Sequence, residues 1–300
     1  MTRPDLRAHA EELRAGRTPF VFATVVRAQR PTSAKPGDCA LVLADGTLEG
    51  FVGGTCAEST VRLQGLRLLG TGQSTLLRIT PRPGDDLIEE GVVTVGNPCL
   101  SGGTLEIFLE AELPPVLVRV FGDAPVGRAL VSVGTALGYH VVAAGDPLAP
   151  LPEDVDAVVV ASHGRDEDVV LRSALATRVS YIGLVASPRR GAAVLAGLDV
   201  AEDARARVHT PAGLDIGART PTEIALSIYA EIVASRRRPP RRPPEPVDGS
   251  VEAVDPVCGM SVAITADALG HNHIGRVFYF CGPGCRQAFA DDPGRYVADE

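Results

Sequence analysis

The feature that most constrains this chain is a change of texture at Val116. Beyond it the short apolar runs VLVRVFG (116–122), VVAA (141–144), DAVVVA (156–161) and SYIGLVA (180–186) each give way to a stretch of helical composition. Strands separated by helices return to their sheet by crossovers, so they pair in parallel and carry helices on both faces. Ser187-Pro188 reads as an N-cap followed by proline at the first helical position, and Thr220-Pro221-Thr222-Glu223 as a capping box. The helix that opens there, expected over 221–238, carries Ile224, Ile228 and Ile232 on one stripe. Residues 115–238 therefore predict a doubly wound, Rossmann-like parallel sheet.

The first strand of this region runs into Gly122-Asp123-Ala124-Pro125-Val126-Gly127, and the second ends near Asp146. This approximates the dinucleotide fingerprint, in which glycines allow a tight turn and a close pyrophosphate, and a later acid takes a ribose hydroxyl. Ala124 stands at the middle glycine, where its methyl would crowd the pyrophosphate of a bound NAD(P). His163, with Arg165 and Asp168 beyond it, follows the third strand. Ligands of open α/β sheets lie outside the carboxyl ends of strands. His163 is thus either a ligand contact or a surface-loop histidine.

Residues 1–114 read as an α+β domain ahead of a Pro-rich boundary at Leu113-Pro114-Pro115. A helix is expected over 5–15 and strands over 20–26, 38–44, 47–52, 74–80, 91–95 and 104–110, with Asp45-Gly46 as a hairpin turn and an acidic, Pro-rich loop over 81–90. Arg27, Arg30 and Lys35 flank Pro31-Thr32-Ser33, which is either a solvated connection or an anion cradle. The sequence Gly53-Gly54-Thr55-Cys56-Ala57-Glu58 then leads into a helix with Val61, Leu63 and Leu66. Cys56 falls near the N-terminus of that helix, where the dipole favours a thiolate; the alternative is a small buried thiol beside a tight turn. Cys99 lies in a second glycine-rich loop, Gly96–Gly103, whereas Cys39 sits in an apolar strand and reads as core.

Three of the six cysteines lie beyond residue 250. They follow RRRPPRRPPEPVDGS (236–250), whose prolines and arginines make residues 239–250 an extended linker. Residues 251–300 form a small unit of the kind a metal can help to hold together. Cys258, Cys281 and Cys285 are its candidate ligands, with His271 and His273 as candidates for a fourth position, a set suited to Cu(I) or Zn(II); the alternative is a set of small buried thiols. The formal charge of −8 argues against a nucleic-acid partner. No apolar run reaches bilayer length and the N-terminus lacks the apolar core of a signal peptide, so a cytoplasmic protein with reduced thiols is expected.

Several of these runs carry a resemblance. PTSAKPGDCALVLADGTLEGFVGGTCAE, SGGTLEIFLE, SYIGLVASPRR and VHTPAGLDIGARTPTEIALSIYAEIVA make residues 18–238 resemble the XdhC/CoxI family of molybdenum hydroxylase accessory proteins. DPVCGM and FYFCGPGCRQAFADDPGRY make residues 255–297 similar to a YHS domain, regarded as a metal-binding module. The resemblance implies a maturation factor of xanthine dehydrogenase or aerobic carbon monoxide dehydrogenase type. Such a factor binds molybdenum cofactor (molybdopterin), assists its sulfuration or metal completion, and helps insert it into an apo-hydroxylase. It further implies a cysteine desulfurase and a second copy of the chain as partners. Gly53, Gly54, Cys56 and Cys99 would contact the cofactor, with Glu58 and His163 as further sulfur- or cofactor-handling candidates, and no residue is assigned to a catalytic cycle. Two other classes remain open: an NAD(P)-dependent oxidoreductase built on Gly122, Gly127 and Asp146, and a metal-sensing or sequestering protein dominated by the YHS unit.

Overall fold

The computed structural model describes residues 2–81, 86–97, 103–235 and 252–297. Cys99 and the linker expected over 239–250 lie outside them. The chain divides into two units, 1–114 together with 242–300, and 115–241.

In the first unit Asp5 caps α1 (Arg3–Ala15), accepting hydrogen bonds from the Thr2 hydroxyl and amide at 2.6 and 2.8 Å. There follow β1 (Phe20–Gln29), β2 (Cys39–Leu43), β3 (Leu48–Gly50), α2 (Thr55–Thr71), β4 (Thr75–Thr80), β5 (Leu87–Glu89), β6 (Val92–Gly96) and β7 (Thr104–Glu112). They make a seven-stranded sheet in the order β3-β2-β1-β7-β4-β6-β5, in which only the β4–β6 pair is parallel. Alternation along the strands sorts the side chains by face. Val21, Ala23, Val25, Ala40 and Val42 join Ala57 and Val61 of α2, while Phe20, Cys39 and Leu41 join Leu6 and Ala10 of α1. Cys39 is core, as its strand predicts. β5 corrects the acidic loop expected over 81–90: Leu87 and Ile88 are exposed on the sheet edge, so no burial period marks the strand.

The second unit comprises β8 (Leu117–Phe121), α3 (Pro125–Ala136), β9 (His140–Ala144), β10 (Ala157–Val160), α4 (Glu167–Leu175), β11 (Tyr181–Leu184), α5 (Pro188–Gly197), α6 (Glu202–Arg205), β12 (Val208–His209) and α7 (Pro221–Ser235). Its sheet runs β12-β11-β10-β8-β9, all parallel. The two faces carry separate cores, one with Leu130 of α3 and Ile228, Tyr229 and Ile232 of α7, the other with Val170 and Leu171 of α4. This is the doubly wound α/β fold, with its strand order reversing between β8 and β10. Helix α3 begins at Pro125, whose fixed φ suits a first helical position. Val208 and His209 add a two-residue strand at the sheet edge.

The C-terminal part consists of two hairpins, β13 (Glu252–Val254) with β14 (Ser261–Ala263) and β15 (Leu269–His273) with β16 (Arg276–Phe280), and the helix α8 (Pro283–Asp291). Phe289 is fully buried and is the centre of this small core, ringed by Phe278, Phe280 and Tyr296. The part packs on α2 of the first unit. Arg67 donates to both carboxylate oxygens of Glu252 at 3.0 and 2.7 Å, Arg62 pairs with Asp267 at 3.3 Å, and Gly46 lies so close to Thr265 that a Cβ would collide.

Candidate sulfur-lined site

Two helix N-termini, each carrying a thiol, meet in the first unit. Helix α2 starts after Gly53 and Gly54 with Cys56 as its second residue, and α8 starts after Gly282 with Cys285 as its third. Gly53 has φ +142° and a Cβ there would press on Ala57 and Leu105 at 3.0 and 3.2 Å, so the turn needs glycine. Thr55 lies directly beneath Gly282, where a Cβ would stand 3.6 Å away.

The thiols are held by Asp255. Its side chain is completely buried, and its carboxylate accepts from the Val257 amide at 2.9 Å and from the Cys281 amide at 2.9 Å. Its main chain also bonds both Gly259 and Met260. One acid thus fixes both the turn bearing Cys258 and the turn bearing Cys281. The Sγ of Cys281 lies 3.6 Å from that of Cys258 and 3.7 Å from that of Cys285. A disulfide needs about 2.05 Å, whereas two thiolates on one tetrahedral ion at the usual metal–sulfur length of about 2.3 Å stand about 3.8 Å apart. The spacing therefore fits shared ligation. Among the described residues, the ligand atoms of Asp255, Cys258, Cys281 and Cys285 all fall within 4.8 Å of one another.

Cys56 stands beside this group without being one of its four mutually close ligand residues. It packs against Met260, Val262 and Cys281 and lines the same cavity as the thiols. The hydrogen bond to Cys258, then the neighbouring Cys56 thiol, and burial push the Cys281 thiol far above its ordinary range. The bond from Cys281 in turn holds Cys258 below its own. Burial, followed by the charges of Asp255 and Cys258, pushes Cys285 up to about 12. A cavity of about 580 Å³ opens beside these sulfurs, within the range of small-molecule sites. Gly54, Cys56, Ile79 and Leu105 line it together with Cys258, Met260, Cys281 and Cys285, and so do Pro31, Thr32 and the buried Asn97.

The other sequence candidates fall elsewhere. Glu58 lines a smaller recess with Arg62 and Asp267, and burial raises its pKa. His271 and His273 lie on β15 with their rings edge-on to Phe289 at 5.7 and 5.9 Å, and neither joins the sulfur group. In the second unit a crevice of about 500 Å³ lies at the carboxyl ends of β8, β9 and β10, lined by Gly122, Gly127, Arg128 and Gly145. Gly122 (φ +110°) packs on the carbonyl of Ala161 and Gly127 on that of Gly122, and neither leaves room for a Cβ. At its rim Arg165 pairs with Asp123 at 2.9 Å. Ala124, Asp146 and His163 are not among its lining residues; the Asp146 carboxylate accepts from the Leu148 amide, and His163 is exposed with φ +52°.

Two residues escaped the sequence reading. Asp255 was legible in principle, because an aspartate two residues before an amide it can accept from is a turn signal. Glu231 was not: it accepts from Tyr181 at 2.6 Å, Gly213 at 2.7 Å and His209 at 3.0 Å, and those partners lie far from it in sequence. Despite burial, these bonds from Tyr181, Gly213 and His209 hold its carboxyl below the usual range.

A doubly wound parallel domain joined to a mixed-sheet domain, with a small cysteine-bearing module packed on the latter, defines the class of protein. Residues 13–80 match the XdhC and CoxI family, residues 118–232 the XdhC Rossmann domain and residues 253–300 the YHS domain. The chain belongs to the XdhC/CoxI family and carries a C-terminal YHS domain. It is 27% identical over 260 residues to the uncharacterized protein YqeB of Escherichia coli (strain K12), covering 77% of this chain and 46% of that one. It is 27% identical over 160 residues to a probable xanthine dehydrogenase component of Bacillus subtilis (strain 168), covering 45% and 47%. It is 23% identical over 282 residues to the molybdenum cofactor insertion chaperone PaoD of Escherichia coli (strain K12), covering 78% and 88%. The chain thus spans about half the length of the first two. No helix among the described residues is long and apolar enough to cross a membrane.

Proposed function

We propose that this protein is a maturation factor for a molybdenum hydroxylase, one that holds molybdenum cofactor transiently, assists its sulfuration or metal completion, and delivers it to an apo-enzyme. The observation that carries the reading is the sulfur-walled cavity beside the Gly53–Cys56 turn. A thiolate is the protein ligand best matched to a soft metal–sulfur centre, and the cavity has the volume of a small-molecule site. The family match and the name of the relative PaoD point the same way. When bound, the cofactor supplies the metal chemistry. The chain's own residues orient and shield it: Cys56 offers a sulfur at a positive helix end, Ile79 and Leu105 supply apolar lining, and Thr32 and the buried Asn97 supply polar lining.

The test compares cofactor retention in two thiol variants. Cys56→Ala should lower the molybdenum cofactor that co-purifies by about tenfold, the scale of one lost soft contact of about 1.4 kcal/mol. Cys39→Ala, in the core on the other face of the sheet, should leave it near wild type. Equal retention by the two variants would remove Cys56 from the site.

A further inference from the structure

The YHS thiols and Cys56 are separated by more than two hundred residues of sequence, yet they are one cluster. Cys281 is its hub, with Cys258 and Cys285 at 3.6 and 3.7 Å and Cys56 packed against it in the wall of the same cavity. Met260, 6% exposed, adds a thioether to the same group. Asp255 contributes least as a ligand, because both of its carboxylate oxygens already accept backbone amides. The donor set that remains is four thiols and a thioether in mostly apolar surroundings. Soft thiolate and thioether donors suit Cu(I) and Zn(II) alike, but zinc sites draw on thiolate, imidazole and carboxylate, so the thioether favours Cu(I).

We infer that Cys56 is a ligand to a Cu(I) ion shared with the YHS thiols, so that the metal site is built jointly by the XdhC/CoxI and YHS parts and stands in the wall of the cavity. Cys56 is the donor nearest the Gly53-Gly54 turn and Cys285 the donor at the start of α8, and both face the cavity. Binding forms metal–sulfur bonds in which each ligating thiol releases its proton to solvent, the ion stays Cu(I), and no electron moves. The site stands whether or not the protein handles a molybdenum cofactor.

The experiment uses the full-length reduced protein under anaerobic conditions, titrated with Cu(I) against a chromophoric Cu(I) chelator, with X-ray absorption to count sulfur neighbours. Cys56→Ser should weaken Cu(I) binding at least tenfold and remove one sulfur from the shell. Cys281→Ser should weaken it further, and Cys39→Ser should change nothing. In the wild-type protein, bound Cu(I) should protect Cys56 from iodoacetamide, a readout that needs no variant. Unchanged affinity and sulfur count in Cys56→Ser, or unprotected Cys56 in the Cu(I)-loaded protein, would overturn the shared site. Tight binding of Zn(II) with none of Cu(I) would overturn the choice of ion.

Discussion

At the scale of single residues, Asp255 shows how one acid can hold a site without acting in it. Its two oxygens each accept one amide, and each amide belongs to a turn that bears a cysteine. Replacement by Asn would keep the shape but turn one acceptor into a donor facing a backbone N–H. A buried, charge-assisted bond lost in this way costs about 2–3 kcal/mol. Asp255→Asn should therefore lower the urea midpoint of the first unit and loosen metal binding together, because both cysteine turns are released. An unmoved midpoint would show that the turns hold themselves. The same residue illustrates what was readable beforehand. The cysteines announced themselves by type and spacing, but the acid that aims them did not, because Cys281 lies far along the chain from Asp255.

At the scale of elements, α3 and α7 show how far backbone approach governs the second unit. Gly134 of α3 lies against Tyr229 of α7, whose hydroxyl donates to the Leu130 carbonyl at 2.7 Å. Alanine at 134 would gain about 1 kcal/mol of helix propensity and lose more, about 1–3 kcal/mol, by overpacking against that hydroxyl and against Val141. Gly134→Ala is thus expected to lower the melting temperature, and a second change, Tyr229→Phe, to recover part of the loss. If the two changes simply add, the clash is not the cause. Much of this unit was legible because alternating strand and helix periods dictate a parallel sheet. The short strand β12 here, like β5 in the first unit, was not, since exposed or two-residue edge strands bury no alternating face. The fingerprint turn was read correctly as a tight turn, and its two glycines are sterically required, while Ala124 and Asp146 stand outside the lining of the crevice.

At the scale of the whole molecule, the ion pairs of Arg67 with Glu252 and Arg62 with Asp267 lie on the surface, where each contributes at most about 1 kcal/mol. Met260 and Val262 also pack beside Cys56 in a buried apolar cluster. A chain ending at residue 238 should therefore still melt cooperatively, because the sheet cores of both units lie within it. Its Cys56 should react with iodoacetamide at least tenfold faster than in the full-length protein. Loss of cooperative melting would show that the YHS part is integral to the first unit's core. Sequence periodicity gave no sign of this docking, since α2 has only a weak amphipathic pattern and its partner residues lie beyond residue 250.

The first unit is discontinuous, with residues 1–114 and 242–300 on either side of the whole of the second. Synthesis proceeds from the N-terminus and domains fold as they emerge, so the sheet that presents Cys56 is complete well before Cys258, Cys281 and Cys285 leave the ribosome. During that interval Cys56 is already placed at the start of α2, while Cys258, Cys281 and Cys285 have yet to be made. The chamber is therefore a late product of biosynthesis, and nascent chains halted before residue 250 should differ from finished ones less in fold than in the chemistry of a single thiol.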